Sequence, residues 1–274
     1  MKAAASAPWP DHGCTAIPKA PAASGAHGCA PAPLIFQTHA PEDFMVHTPT
    51  DKVSVDLDPA CTPAEIENRS FAIIDAEIPE PRAFSGPLWQ VARRCVHTLG
   101  DTDIVDDLRL SALGLEAGVT ALLAGCTVYT DTRMAAAGLP MRRLDPLGVT
   151  VTPIMALPGL AELAASRGTT RSRAGLESIA QNMGGNIVVI GNAPTALLGL
   201  LDVLAQGAQP PALIVGMPVG FVNAAQSKEL LRQSPWPHFT LLGRKGGSAV
   251  AAACINALAD IALAQRGLTR VAAL

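Results

Sequence analysis

The sequence predicts an α/β fold around a mostly parallel sheet of about five strands. Three observations carry this. In Asn186 to Leu204, NIVVIGNAPTALLGLLDVL, a β-branched run suited to a strand buried on both faces passes through Gly191-Asn192 directly into leucines at helical spacing. The same passage from apolar strand to helix recurs at Ala212 to Gly216 and at Phe239 to Leu242. With 274 residues, 49% of them hydrophobic and 16% charged, the chain is long enough to bury one sizeable core of this kind.

The elements follow in order. Residues 1–61 hold nine prolines, runs of alanine and four of the six histidines without periodicity, and are expected to be a largely disordered extension. The folded part, 62–274, opens at Thr62-Pro63-Ala64-Glu65, where the spacing fits a capping box. IENRSFAIIDAEI is amphipathic and fits a core helix or strand with Arg69 and Ser70 as polar neighbours. In SGPLWQVARRCVHTLGD, Ser85 can cap, Pro87 suits a first helical turn and Gly100 suits a C′ position, so His97 falls in the last turn. Leu113 to Gly125 reads as a helix, Cys126 to Thr130 and Val149 to Ile154 as strands, and Pro158 to Ser166 as a short helix. Gly168 to Ser172 is a turn that places Arg171 at a helix start. After the Pro194 helix come the strand at Ala212 to Gly216, the helix Asn223 to Gln233 with Lys228, the strand at Phe239 to Leu242, and GRKGGS entering the last helix.

Composition excludes several function classes. A net charge of −3 and 4% aromatic residues argue against nucleic-acid binding. The apolar segment Ser248 to Ala264 is interrupted by Asn256 and Asp260 and falls short of a bilayer span, so it reads as a buried helix and no membrane partner is expected. The N-terminus has no uninterrupted apolar run of the secretory kind. Six irregularly spaced cysteines without CxxC suit reduced core thiols in a cytoplasmic protein. His12-Gly13-Cys14 and His27-Gly28-Cys29 repeat one tripeptide, but their spacing matches no common zinc pattern and no metal site is assigned. GRKGGS has the glycines and cations of a phosphate cradle in the wrong order, and GxSxG and HExxH are absent.

In a parallel α/β fold, ligands sit beyond the carboxyl ends of the strands, where amides at helix starts face outward. Gly191, Asn192 and Thr195 are therefore expected to line a site. Lys228 and Arg244 are expected on the same rim, as in a site for a polyanionic ligand. Arg171 at its helix start suits a carboxylate or phosphate. His97, near helix carbonyls that favour imidazolium, reads either as a general acid or as a complement to the helix dipole.

Taken together, IENRSFAIID, ARRCVHTLGD, TTRSRAGLE, VVIGNAPTALL, GMPVGFVNAAQSKELL and GRKGGSAVAAACINAL resemble the precorrin-8X methylmutase family of corrin biosynthesis, in unbroken order over residues 62–264. The resemblance implies a homodimeric three-layer α/β isomerase that binds a corrinoid at the dimer interface. It also implies a methyl shift from C-11 to C-12, giving hydrogenobyrinate or, from a cobalt substrate, its cobalt form. By motif position His97 matches the family's catalytic histidine, which donates a proton or hydrogen bond at a ring nitrogen. The reaction needs no cofactor and no external methyl donor. A large apolar ring fringed with carboxylates needs apolar walls and several separate holders; Arg69, Ser70, Arg171, Asn192, Thr195, Lys228 and Arg244 are the candidates. Arg133 stands where the family has an acidic residue, and Gln226 replaces a usual glutamate. Because the His97, GNAPTAL and GRKGGS motifs are intact, an active enzyme is favoured over a corrinoid carrier or an α/β anion binder.

Overall fold

The computed structural model describes residues 62–268. The expectations for the 1–61 extension and its HGC repeats fall outside the described residues.

The first two helices form a hairpin. In α1 (Pro63–Glu77) the capping box forms in full, Thr62 accepting from the Glu65 amide and Glu65 from the Thr62 amide. The amphipathic stretch that fitted helix or strand is thus helix. In α2 (Gly86–Leu99) Ser85 holds the N-cap position without making a side-chain cap bond, and Gly100 closes the helix in the left-handed conformation at φ 61°. Then come the short α3 (Ile104–Asp107), β1 (Leu108–Leu110), α4 (Ala112–Leu123), β2 (Thr127–Thr130), α5 (Arg133–Ala137), α6 (Met141–Leu144) and β3 (Thr150–Pro153). The second half runs α7 (Leu160–Ser166), α8 (Arg171–Ser178), β4 (Ile187–Ile190), α9 (Pro194–Ala205), β5 (Leu213–Gly216), α10 (Ala224–Gln233), β6 (His238–Leu241) and α11 (Ser248–Gln265).

The sheet has six strands in the order β1-β6-β5-β4-β2-β3, one more than the sequence suggested. The five expected strands are parallel; the sixth, β1, pairs antiparallel with β6 at the edge. Alternation across β4 makes the three layers. Ile187 and Val189 join the core formed with α2, α4 and α11, whereas Val188 and Ile190 join the core formed with α8 and α9. α11 is long and apolar enough to cross a bilayer, but twelve of its residues are buried and it is a core helix. Cys95, Cys126 and Cys254 are buried and free, and burial pushes the Cys126 thiol up to about 11.

This topology decides where a ligand can sit. The chain leaves β2 for β3 on one side and returns to β4 on the other, so the switch point lies between the carboxyl ends of β2 and β4.

Candidate active site

The α1–α2 hairpin places His97. Asp75 of α1 accepts from Trp89 Nε1 at 2.7 Å, Arg93 at 2.7 Å and Arg82 at 3.1 Å. Glu67 takes Arg94 of α2, which also reaches Asp260 of α11 at 3.1 Å. These two clamps fix the register of the helices, so that His97 Nδ1 lies 2.8 Å from the Ser70 hydroxyl. The Phe71 ring meets the imidazole edge-on at a centroid distance of 5.4 Å. Arg93 in turn lies over Phe71 at 4.4 Å, completing a packed polar–aromatic support. The imidazole is otherwise exposed, in the last turn of α2.

The helix end joins the sheet rim through charge. Asp101, just past Gly100, pairs with Lys245 at 2.5 Å, and Lys245 belongs to the loop after β6. That loop, 243–247, passes over the chain leaving β5: the Gly247 amide donates to Met217 O at 2.9 Å, and a Cβ on Gly246 would meet the Met217 and Pro218 carbonyls at 2.5 and 2.7 Å. The glycines of GRKGGS therefore serve the close crossing of two turns. Arg244 is exposed, with its guanidinium 5.3 Å from the Phe221 ring centroid. Phe221 itself is 84% exposed, and Val222, on the same turn after β5, and Met134, in α5 after β2, also stand in solvent.

A second group forms where α8 and α9 begin. Thr170 caps α8, accepting from the Arg173 amide, and its hydroxyl pairs with that of Thr195 at 2.9 Å. Arg171 is exposed at the first position of α8, and Asn192 is exposed just before α9.

Two expectations from sequence are corrected here. The amides of Gly191, Asn192 and Ala193 do not face outward: all three donate to the buried carboxylate of Asp131, at 2.9, 2.8 and 3.0 Å. Lys228 does not stand on the rim. It is fully buried beneath the 243–247 loop and donates to Lys245 O at 2.6 Å; burial, partly offset by the Asp107 charge, lowers its pKa to about 8. The structure thus brings Ser70 to His97, Thr195 to Arg171's helix start, and Arg244 to Phe221, while Arg69 is exposed on α1 one residue from Ser70.

A family model described as precorrin-8X methylmutase (CbiC) matches residues 65–261. The chain belongs to that family. It is 45% identical over 196 residues to a precorrin-8X methylmutase of Pseudomonas aeruginosa, covering 71% of this chain and 93% of the relative. It is 43% identical over 203 residues to a cobalt-precorrin-8 methylmutase of Salmonella typhimurium, covering 72% and 94%. A crystal structure of a precorrin-8X methylmutase from Thermus thermophilus superposes with a TM-score of 0.68 at 39% identity, over 76% of this chain and all of that one. The methylmutase is an isomerase of cobalamin biosynthesis, and the family implies a corrinoid substrate.

Of the groups that build this methylmutase rim, Asp131 is the one that sequence reading passed over. Its local signal was slight: an aspartate directly following the strand Thr127–Thr130, with the Gly191-Asn192 turn far away in the sequence. Lys228 carried a signal as well, since it shares the stripe of Ala224 and Leu231, the buried face of α10.

Proposed function

We propose that this methylmutase takes metal-free precorrin-8X and moves one methyl group from C-11 to C-12, giving hydrogenobyrinate. The observation that carries the reading is His97, held by Ser70 through Nδ1 at the exposed end of α2. Nε2 is then the nitrogen left to meet a ring nitrogen of the substrate. Proton donation or hydrogen bonding there draws electron density from the conjugated ring as the bond to C-11 breaks and the bond to C-12 forms. The proton returns to His97, so atoms balance without an external methyl donor or a cofactor. Positioned acid catalysis of this kind contributes about 10² to 10⁴ in rate.

Arg69, Arg171, Asn192, Thr195 and Arg244 divide the peripheral carboxylates among them, each charged contact supplying on the order of 1 kcal/mol or more. Ser70 serves His97 first, and Lys228 acts through the loop that bears Arg244. The exposed Phe221, Val222 and Met134 support apolar cover for the macrocycle and a site completed by a second copy of the chain in a homodimer. Buried free thiols support a reducing, cytoplasmic setting. A second reading, conversion of cobalt-precorrin-8 to cobyrinate, is favoured by the 43% identity to the Salmonella enzyme of that name.

The test is absorption spectroscopy of the purified protein with metal-free precorrin-8X, and in parallel with the cobalt form. The expected result is conversion of precorrin-8X. Conversion of the cobalt form alone establishes the second reading, and a bound, unchanged corrinoid makes the protein a carrier and overturns both.

A further inference from the structure

The strand-switch point of this sheet, where α/β folds commonly seat an anionic ligand, is already filled by the chain itself. Asp131 follows β2, is fully buried, and continues the ladder by donating its amide to Val189 O at 2.9 Å. Its Oδ1 accepts from Gly191 and its Oδ2 from both Asn192 and Ala193, the donors that lead into α9. At Gly191 the turn packs directly on the start of α11: a Cβ there would lie 2.6 Å from Ser248 Cα. The residue after Asp131 is tied down as well, because Thr132 caps α5 and pairs with the Ser248 hydroxyl at 3.0 Å. Burial pushes the Asp131 carboxyl above the ordinary carboxylate value, and the three amides offset only part of that rise by favouring the charged form.

We propose that Asp131 is a positioning and specificity residue of the methylmutase site, a built-in counter-anion that plugs the amide nest before α9 and thereby fixes Asn192 and Thr195 on the rim. Its chemistry answers a problem set by the substrate. A macrocycle fringed with many carboxylates would find three convergent N–H groups at a helix start attractive in several wrong orientations. With the nest filled, only the rim side chains select the pose, and exclusion of the wrong poses does as much as attraction of the right one. The inference rests on the proposed placement of the corrinoid over this rim.

The experiment compares wild type, Asp131→Ala and Asp131→Asn, using formate as the probe at constant ionic strength with chloride as control. For Asp131→Ala, kcat/KM is expected to fall about ten- to a hundredfold and to recover saturably as formate occupies the vacated nest, with the melting temperature rising in parallel. Asp131→Asn, whose amide fills the same space but offers one acceptor oxygen, is expected to show a comparable fall and no formate response. An unchanged kcat/KM in either folded variant overturns the proposal. So does formate that restores the melting temperature of Asp131→Ala but not its kcat/KM, which would mark a purely structural role. Should Asp131→Ala fail to fold, Asp131→Asn decides by kcat/KM alone. Should the wild type convert neither corrinoid, the reading of the reaction fails, while a saturable rise in melting temperature with formate, in Asp131→Ala and not in wild type, still shows the plugged nest.

Discussion

Replacing Lys228 with methionine should change how stability depends on pH more than it changes stability at neutral pH. The Lys228 side chain is fully buried, and its only described hydrogen bond is to Lys245 O. Burial, partly offset by Asp107, brings its pKa from 10.5 to about 8. Between those values the unfolded chain holds a proton that the folded chain has released, so wild-type stability climbs as pH rises through this window. At about 1.4 kcal/mol per tenfold, the full climb is about 3 kcal/mol, a large part of a typical folding free energy of about 5–15 kcal/mol. Below the window the methionine variant no longer buries a charge but loses a charged hydrogen bond worth about 1.5–3 kcal/mol, so the two proteins should lie close together. The assay is urea unfolding of both proteins from about pH 7 to about pH 10.5. The difference between the curves isolates this residue, because every other titrating group cancels. A difference that swings toward the wild type with rising pH is expected; one that stays flat across the window refutes the assignment of a charged, buried lysine beneath the rim loop.

Other perturbations test separate parts of the account. Gly191→Ala puts a methyl 2.6 Å from Ser248 Cα and 3.0 Å from its amide nitrogen, backbone atoms that cannot step aside. A loss of about 1–3 kcal/mol or more should appear as a lower melting temperature, and a wild-type value would contradict the close crossing. Asp75→Asn removes a carboxylate whose pKa lies below the ordinary value because the donors Trp89, Arg93 and Arg82 together outweigh its burial. Its stabilising effect is present above the unfolded carboxylate range and fades as pH falls through the lowered value. The variant should therefore be weaker than wild type near neutrality, with a gap that closes on acidification below about pH 4. For Ser70→Ala, loss of a hydrogen bond worth about 1 kcal/mol in holding the imidazole should lower kcat several-fold with little change in substrate affinity; equal kcat would free His97 from Ser70.

Much of the fold was legible because its signals are local. The helices announce themselves by caps and spacing, as at Thr62-Glu65 and Gly100, and the buried strands by runs such as Ile187 to Ile190. β1 was not legible: Leu108-Arg109-Leu110 is too short to establish a period of two, and its strand character depends on pairing with β6 more than a hundred residues away. The site divided the same way. His97 could be placed at a helix end from Gly100 alone, but its contact with Ser70 depends on the Asp75 and Glu67 clamps between helices. Asp131 meets its three amides across about sixty residues of sequence, and so the turn that reads as an open anion site from Gly191-Asn192 is in fact closed. Lys228 was misplaced because a lysine is ordinarily assigned to the surface, although its stripe on α10 is the buried one.

The most direct test of the central claim, that the rim around His97 performs the methyl shift, is a paired measurement on His97→Ala: the dissociation constant for precorrin-8X and the rate of its conversion. The account expects an affinity within a few-fold of wild type and a conversion rate lower by about 10² or more, because the imidazole moves a proton while the rim side chains hold the ring. Wild-type conversion by His97→Ala would contradict it.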